Sequence, residues 1–330
     1  MVVLKLDIQM LNHFPEKEGE WFFMLLKFSV KDFRDDREFK NLSPVTIDGY
    51  LRTLNEFHAF CVEQEIVNAE DVTPSVIKSY LLHCQKKRKN NPTSINHKLH
   101  NLKIFFNYLE EIEIITEKRN PVKKISYIKA DVKIEVFTDE QVKKMLGYYA
   151  RMKYRNKSFY SYRDYTIILT LLGTGLRLGE LCNLRWNDID FKNQTITVFG
   201  KKRQQSSIPT TTKLQKELAE FKVFNQQNFK NKEIEYVFTD AQNRQLSPNA
   251  IKCVFKRLKT IMNFKNCRVS AHTFRHYFAV SMIKSGADAF TVQKMLRHSN
   301  IKMTLIYVNL FGTALAEQNN KYNPLNDLDI

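Results

Sequence analysis

The sequence predicts a mostly α-helical protein of two domains: a helical first domain, then a mainly helical second domain carrying one small β-hairpin. Three observations lead there. A length of 330 residues suggests two cores. Apolar residues recur at helical spacing along most of the chain, behind Ser-Pro and Thr-Pro starts. Charge divides unevenly: residues 1–133 hold 21 Lys and Arg against 19 Asp and Glu, whereas residues 134–330 hold 31 against 16. A basic second half within a net charge of +17 suggests a polyanion partner, most simply nucleic acid.

Residues 1–42 read as an N-terminal extension. Glu18 to Phe33 can form an amphipathic helix with Trp21, Met24, Leu25 and Phe28 near one face. Being aromatic and mixed in charge, it reads as a packing helix rather than a DNA-contacting or regulatory arm. Residues 43–120 read as a helical domain. Ser43-Pro44 is a helix start, because the Ser oxygen can accept an orphan N–H and Pro at the first helical position loses no hydrogen bond. Ile47, Tyr50, Leu51, Leu54, Phe57 and Cys61 follow at helical spacing. Thr73-Pro74 repeats the signal before Val76, Ile77, Tyr80 and Leu81, and Ser94 opens a third helix that buries Leu99, Leu102, Phe105, Phe106 and Leu109. Lys86, Lys87, Arg88 and Lys89 close the second helix. Cations suit a helix C-terminus, and four together also suit phosphate contact, which is the reading preferred here.

Residues 121–133, with Lys123, Lys124, Lys129 and Lys133, read as a basic linker. The second domain, 134–330, opens near Thr138-Asp139-Glu140-Gln141, a capping box. Ile167 to Leu172 reads as a central helix broken by Gly173-Thr174-Gly175. Gln194–Phe199 and Gln205–Pro209 read as strands flanking Gly200-Lys201-Lys202-Arg203, whose cations at a hairpin tip suit phosphates or a groove. Ser247-Pro248 starts a helix with Ile251, Val254, Phe255 and Leu258 inward. Its Lys252, Lys256, Arg257 and Lys259 point outward, equally suited to DNA or to solvent. Three helices follow, Ala271–Ile283, Ala289–Leu296 and Ile301–Leu310, and a tail with Ala314, Leu315 and Ala316.

The five cysteines contain no Cys-x-x-Cys pair and read as small core residues in a reducing compartment. Asp7 and the polar run after Leu11 interrupt any signal-peptide core, and no stretch is apolar enough to span a membrane. A cytoplasmic protein is therefore expected.

The chemistry lies in two stretches. Ser270 to Tyr307 contains His272 and Arg275, three apart and so on one helix face, then His298 and Tyr307. Upstream, Thr174 to Leu181 contains Arg177 and Glu180, an acid placed to orient that arginine. In this order the chain resembles the tyrosine recombinase, or phage integrase, family. The family's pattern of Arg, Lys, His-x-x-Arg, His or Trp, and Tyr falls on Arg177, Lys201, His272, Arg275, His298 and Tyr307. Lys202 stands where the family commonly has Gly, and the interval from Arg177 favours Lys201 over Lys202 as the acid.

The resemblance implies a helical core-binding domain and a catalytic domain, joined by a strap, that clamp double-stranded DNA at specific recombination sites. It implies that Tyr307 attacks the phosphodiester to give a 3′-phosphotyrosyl link and a free 5′ hydroxyl. His272 would accept the tyrosine's proton, Lys201 would protonate the leaving oxygen, and His298 would bond the scissile phosphate. Arg177 and Arg275 can fork onto the non-bridging oxygens, and such donors are typically worth about 10²–10³ in rate each. Bond energy is kept in the link, so no cofactor is needed. No acidic cluster suggests a metal either, since Asp188, Asp190 and Glu180 are spread out. Four protomers are expected to assemble on DNA, in the cytoplasm and on the nucleoid. Tyr277, beside Arg275, is a rival nucleophile on proximity alone, and Tyr160, Tyr162 and Tyr165 read as structural. The extended N-terminus and the Lys202 turn tilt the role towards integration or transposition of a mobile element. The alternatives are a Xer-like resolvase of chromosome dimers, a type IB topoisomerase, and a DNA-binding protein without activity.

Overall fold

The computed structural model describes residues 24–130, 134–156, 158–200, 205–230, 232–265 and 267–311, together with Asn319 and Asn323. It divides into two compact units, residues 1–132 and 133–330. No helix among the described residues is long and apolar enough to cross a membrane.

Among its described residues the first unit contains four α-helices: α1 (Leu26–Phe39), α2 (Pro44–Glu63), α3 (Pro74–Lys86) and α4 (Pro92–Glu111). The last three share one start. Ser43, Thr73 and Asn91 each accept a backbone N–H three residues on, and a proline follows each. The α4 cap is therefore Asn91, not the expected Ser94, whose own N–H donates to Asn91 at 2.8 Å. The amphipathic helix expected over Glu18–Phe33 is displaced: Trp21 lies outside the described residues and α1 runs on to Phe39. Its buried face is Leu26, Ser29, Val30 and Phe33, while Phe28 is 53% exposed. Trp21, Leu25 and Phe28 have the same i, i+4, i+7 spacing as Leu26, Val30 and Phe33, so the period fits both stripes and the packing partners select the second. Phe33 meets Tyr50, Phe105 and Tyr108 edge-on at 5.4–5.8 Å. So α1 packs into the same core as α2 and α4, and a boundary at residue 42 cuts through that core.

In the second unit Thr138 and Gln141 exchange hydrogen bonds at 3.0 and 3.2 Å and start α5 (Asp139–Asn156). Next comes α6 (Phe159–Thr174), the central helix, which packs against α5 and against two later helices, α8 (Thr212–Asn228) and α10 (Ala271–Lys284). It ends at Gly175, whose left-handed φ of +60° turns the chain back. A five-residue α7 (Leu178–Cys182) follows. The sheet has three antiparallel strands in the order β1 (Ile189–Asp190), β2 (Thr195–Phe199), β3 (Gln205–Pro209); the sequence reading missed β1, which is two residues long. Ile196 pairs with Ile208, and both are buried against the helices. The remaining helices are α9 (Pro248–Met262), α11 (Ala289–Leu296) and α12 (Lys302–Phe311). Phe278, Val280, Ile283, Val292, Leu296 and Tyr307 form a small apolar cluster among α10, α11 and α12.

Tyr162 and Tyr165 surround the buried Lys153, which bonds Glu217 at 3.0 Å and lies 4.1 Å over the Tyr162 ring. Cys61, Cys84, Cys182 and Cys267 are buried, and Cys253 is exposed.

Candidate active site

Helix ends build this site. Arg177 precedes the first turn of α7, two residues past the Gly175 bend. Its backbone N–H and its Nη1 donate to the two oxygens of Glu180, each at 2.8 Å, and its Nη2 donates to the Arg297 carbonyl at 3.2 Å. Arg275 lies in the second turn of α10, a helix capped by Ser270. It is 2% exposed and donates from Nη1 to the Gly175 carbonyl at 2.7 Å and from Nη2 to the Leu296 carbonyl. The acceptors from Leu296 and Arg297 are carbonyls at the end of α11, where no intrahelical partner exists. One helix end thus holds both arginines in place.

Arg297 itself sits at φ +55°, a conformation that glycine or asparagine usually supplies. The turn aims its side chain inward, where Nη2 reaches Glu180 at 2.7 Å and Nη1 reaches the Met295 carbonyl at 2.7 Å. Burial would raise the Glu180 pKa, but Arg297 and Arg177 outweigh it and hold the carboxyl below its ordinary value. Burial, with Arg177 and Arg297 nearby, lowers the Arg275 guanidinium to about 9, which still leaves it charged at neutral pH.

The same turn delivers His298, 7% exposed, whose Nδ1 is 2.8 Å from Thr304 Oγ1. Burial, then the three arginines, push its pKa down to about 3, so the ring is neutral. Tyr307 lies one turn beyond Thr304 on the same face of α12. It is 4% exposed, and its ring is parallel to that of His298 at 6.3 Å. Burial raises the phenol's pKa, so it too is neutral. Its hydroxyl is 2.8 Å from His276 Nδ1, and the His276 and His272 rings meet edge-on at 4.5 Å. His272 is exposed, and burial of part of its ring, then Arg275 and Arg177, lower its pKa.

These groups adjoin a cleft of about 780 Å³ lined by Arg177, His272 and Arg275 and walled by Lys252, Lys256, Lys259 and Arg268. Three of the α9 cations that the sequence left undecided therefore face the site, whereas Arg257 pairs with buried Asp164 at 3.3 Å. Tyr277 turns its hydroxyl to Asp139 at 2.8 Å. Of the predicted residues, Arg177, Glu180, His272, Arg275, His298 and Tyr307 converge. Lys201, Lys202 and Arg203 lie outside the described residues, as do Ala314, Leu315 and Ala316. Lys86, Lys87, Arg88 and Lys89 are exposed in the first unit, and Arg88 is paired with Glu56 at 2.8 Å. Sequence reasoning missed Arg297, Thr304 and His276. An arginine at the position after an eight-residue helix, where glycine is usual, was the available signal for Arg297.

The phage integrase family model matches residues 135–313, and the model of the phage integrase N-terminal SAM-like domain matches residues 30–116. The chain is 27% identical over 292 residues to tyrosine recombinase XerC of Pediococcus pentosaceus, covering 86% of this chain and 94% of that one. It is 29% identical over 285 residues to a tyrosine recombinase of Pseudothermotoga lettingae, covering 86% and 93%. Among solved structures the fold matches the Tn1549 transposon integrase in complex with transposon right end DNA, with a TM-score of 0.72 at 21% identity over 90% of this chain and 99% of that one. It also matches XerH bound to its difH substrate after cleavage, with a TM-score of 0.69 at 18% identity over 84% and 80%. The chain belongs to the phage integrase family, and it is a tyrosine-type site-specific DNA recombinase.

Proposed function

We propose that Tyr307 is the nucleophile and that Arg177, Arg275 and His298 bind the scissile phosphate of double-stranded DNA, with Lys201 protonating the leaving 5′ oxygen. The observation that carries this is the meeting of two fixed arginines, a neutral histidine and a buried tyrosine beside one basic cleft. Arginines already held by carbonyls and by Glu180 need little reordering as charge builds on phosphorus, which is where preorganised donors act most strongly. A protonated phenol needs a proton acceptor, and neutral imidazoles surround this one. The attack leaves a 3′-phosphotyrosyl link, which a second strand's 5′ hydroxyl resolves without a cofactor.

The partner is a duplex with specific recombination sites, bound by the α9 lysines and by the hairpin cations Lys202 and Arg203. In the first unit, Lys86, Lys87 and Lys89 contact the backbone, with Arg88 shared with Glu56. Residues 43–120, together with α1, act as the core-binding part, 121–133 as the strap and 134–330 as the catalytic part, with four protomers assembling on DNA in the cytoplasm, at the nucleoid. The role is integration or excision of a mobile element, and likeness to a transposon integrase supports that reading. Likeness to XerC over 86% of the chain favours a second reading, resolution of chromosome dimers.

The test is trapping in cells. Wild type and Tyr307→Phe are expressed, cells are lysed in denaturant, and DNA that remains protein-linked is sequenced. An adduct made by wild type alone is expected, and its sequence separates a chromosomal dimer site from element ends. An adduct that persists in Tyr307→Phe refutes the assignment of the nucleophile.

A further inference from the structure

We propose that His276 takes the proton from Tyr307 during attack and returns it during rejoining, and that His272 lies further out as the exit to solvent. The inference rests on Tyr307 being the nucleophile, and it adds a residue outside the six-position pattern.

His276 Nδ1 is 2.8 Å from the Tyr307 hydroxyl, the only side-chain hydrogen bond to that hydroxyl among the described residues. His272 is four residues earlier on the same face of α10 and meets the His276 ring edge-on at 4.5 Å, opening to the cleft. His298, the other imidazole beside Tyr307, is occupied through Nδ1 by Thr304, and its ring lies parallel to the phenol at 6.3 Å. A general base must stand within about 2.6–3.2 Å of the group it deprotonates, and His276 meets that distance here. The groups facing it are Tyr307, His272 and Arg275. Burial, then His272 and Arg275, lower its pKa to about 4, so the ring is neutral at pH 7 and one nitrogen is free to accept.

The step balances as follows. The Tyr307 oxygen bonds to phosphorus, its proton moves to His276 Nδ1, and the phosphorus–O5′ bond breaks as Lys201, the acid of the proposed mechanism, gives its proton to O5′. His276 passes its extra charge outward through the exposed His272. In rejoining, the attacking 5′ hydroxyl gives its proton back to Lys201 as its oxygen bonds to phosphorus, and His276, reprotonated through His272, gives a proton to the phenolate oxygen as the Tyr307–phosphorus bond breaks.

The experiment is single-turnover formation of the covalent complex on a duplex carrying the trapped site, from pH 6 to pH 9. It uses wild type, His276→Asn, His276→Gln, His272→Gln and Tyr307→Phe. Asn places an oxygen or nitrogen near the original Nδ1, so it keeps shape and loses basicity. Duplex affinity by anisotropy and melting temperature check the fold, and Gln serves as the second variant should Asn melt early. The expected result is a fall of about 10² or more at pH 7 for the His276 variants, the size of a general-base contribution. The deficit should shrink as pH rises, and should also shrink when residue 307 is a fluorinated tyrosine of lower pKa. His272→Gln should fall less. A Tyr307-dependent adduct formed at wild-type rate by the His276 variants overturns this proposal alone. So does a deficit that neither pH nor fluorination relieves, which would mean that the ring only packs. An adduct formed by Tyr307→Phe, or none by wild type, overturns the nucleophile assignment and this proposal together.

Discussion

Replacing Gly175 by alanine tests how the bend after α6 builds the site. Gly175 has a φ of +60°, and a Cβ there would lie 2.8 Å from Phe278 Cδ1 and 3.0 Å from Leu296 Cδ2. Left-handed backbone costs a non-glycine residue about 1–2 kcal/mol. Both neighbours are buried in the small cluster around Tyr307, so relief requires moving a ring or a helix end, typically about 1–3 kcal/mol for an overpacked core. Together these give a destabilisation of about 2–5 kcal/mol. For a unit near 200 residues, that lowers the melting temperature by about 5–15 °C. Trp186 is buried in this unit, so fluorescence in a Trp21→Phe background follows the right transition. The strain also reaches the chemistry, because the Gly175 carbonyl receives Arg275 and the Leu296 end receives its other nitrogen. Cleavage below the melting point should therefore slow more than duplex binding weakens. A variant that melts within about 2 °C of wild type, or cleaves normally, would refute the reasoning.

Two further predictions follow from Arg297 and from the histidines. Arg297→Ala keeps the left-handed backbone and removes a guanidinium from buried Glu180, whereas Arg297→Gly removes the same guanidinium and relieves the backbone. In urea melts the Gly variant should be the more stable of the two by about 1 kcal/mol, and both should cleave slowly because Glu180 then neutralises Arg177 alone. Equal melts would show that the bend stores no strain. His276 and His298 have folded pKa values of about 4 and 3, below the ordinary value of about 6.5. The unfolded chain therefore binds more protons between those limits. The stabilisation is whole above about pH 6.5 and is lost as pH falls, by at most about 1.4 kcal/mol per pH unit per histidine and less for half-buried His276. Urea midpoints at pH 7.5, 6.5 and 5.5 should fall in that order, and a rise on acidification would refute the sign.

How much of this was legible in the sequence depends on the range of the interaction. Helix starts are local: Ser43-Pro44, Thr73-Pro74, Ser247-Pro248 and the Thr138–Gln141 box each lie within four residues and could be read directly. Strand β1 could not, because two residues carry no period and are fixed only by pairing with β2. The inward face of α1 depended on partners in α2 and α4, so a stripe through Phe28 looked as good as one through Leu26 and Phe33. Ser94 lost to Asn91 because both are capping residues and only the helix start decides which one caps.

The site divides along the same line. Arg177 with Glu180, and His272 with Arg275, are three apart and could be paired from spacing. Arg297 reaches Glu180 from 117 residues away, and His276 reaches Tyr307 from 31. Those two longer contacts change the electrostatics. Glu180 beside Arg177 alone would make a neutral pair, leaving Arg275 as the uncompensated member of the two. With Arg297 added, three guanidiniums share one carboxylate, and the described cluster carries two net positive charges towards the cleft. A phosphodiester gains negative charge on its non-bridging oxygens as the tyrosine adds, so the second charge counts more in the transition state than in the bound substrate. With the roles proposed above, that difference would accelerate the step, since groups that bind both states equally leave the barrier unchanged.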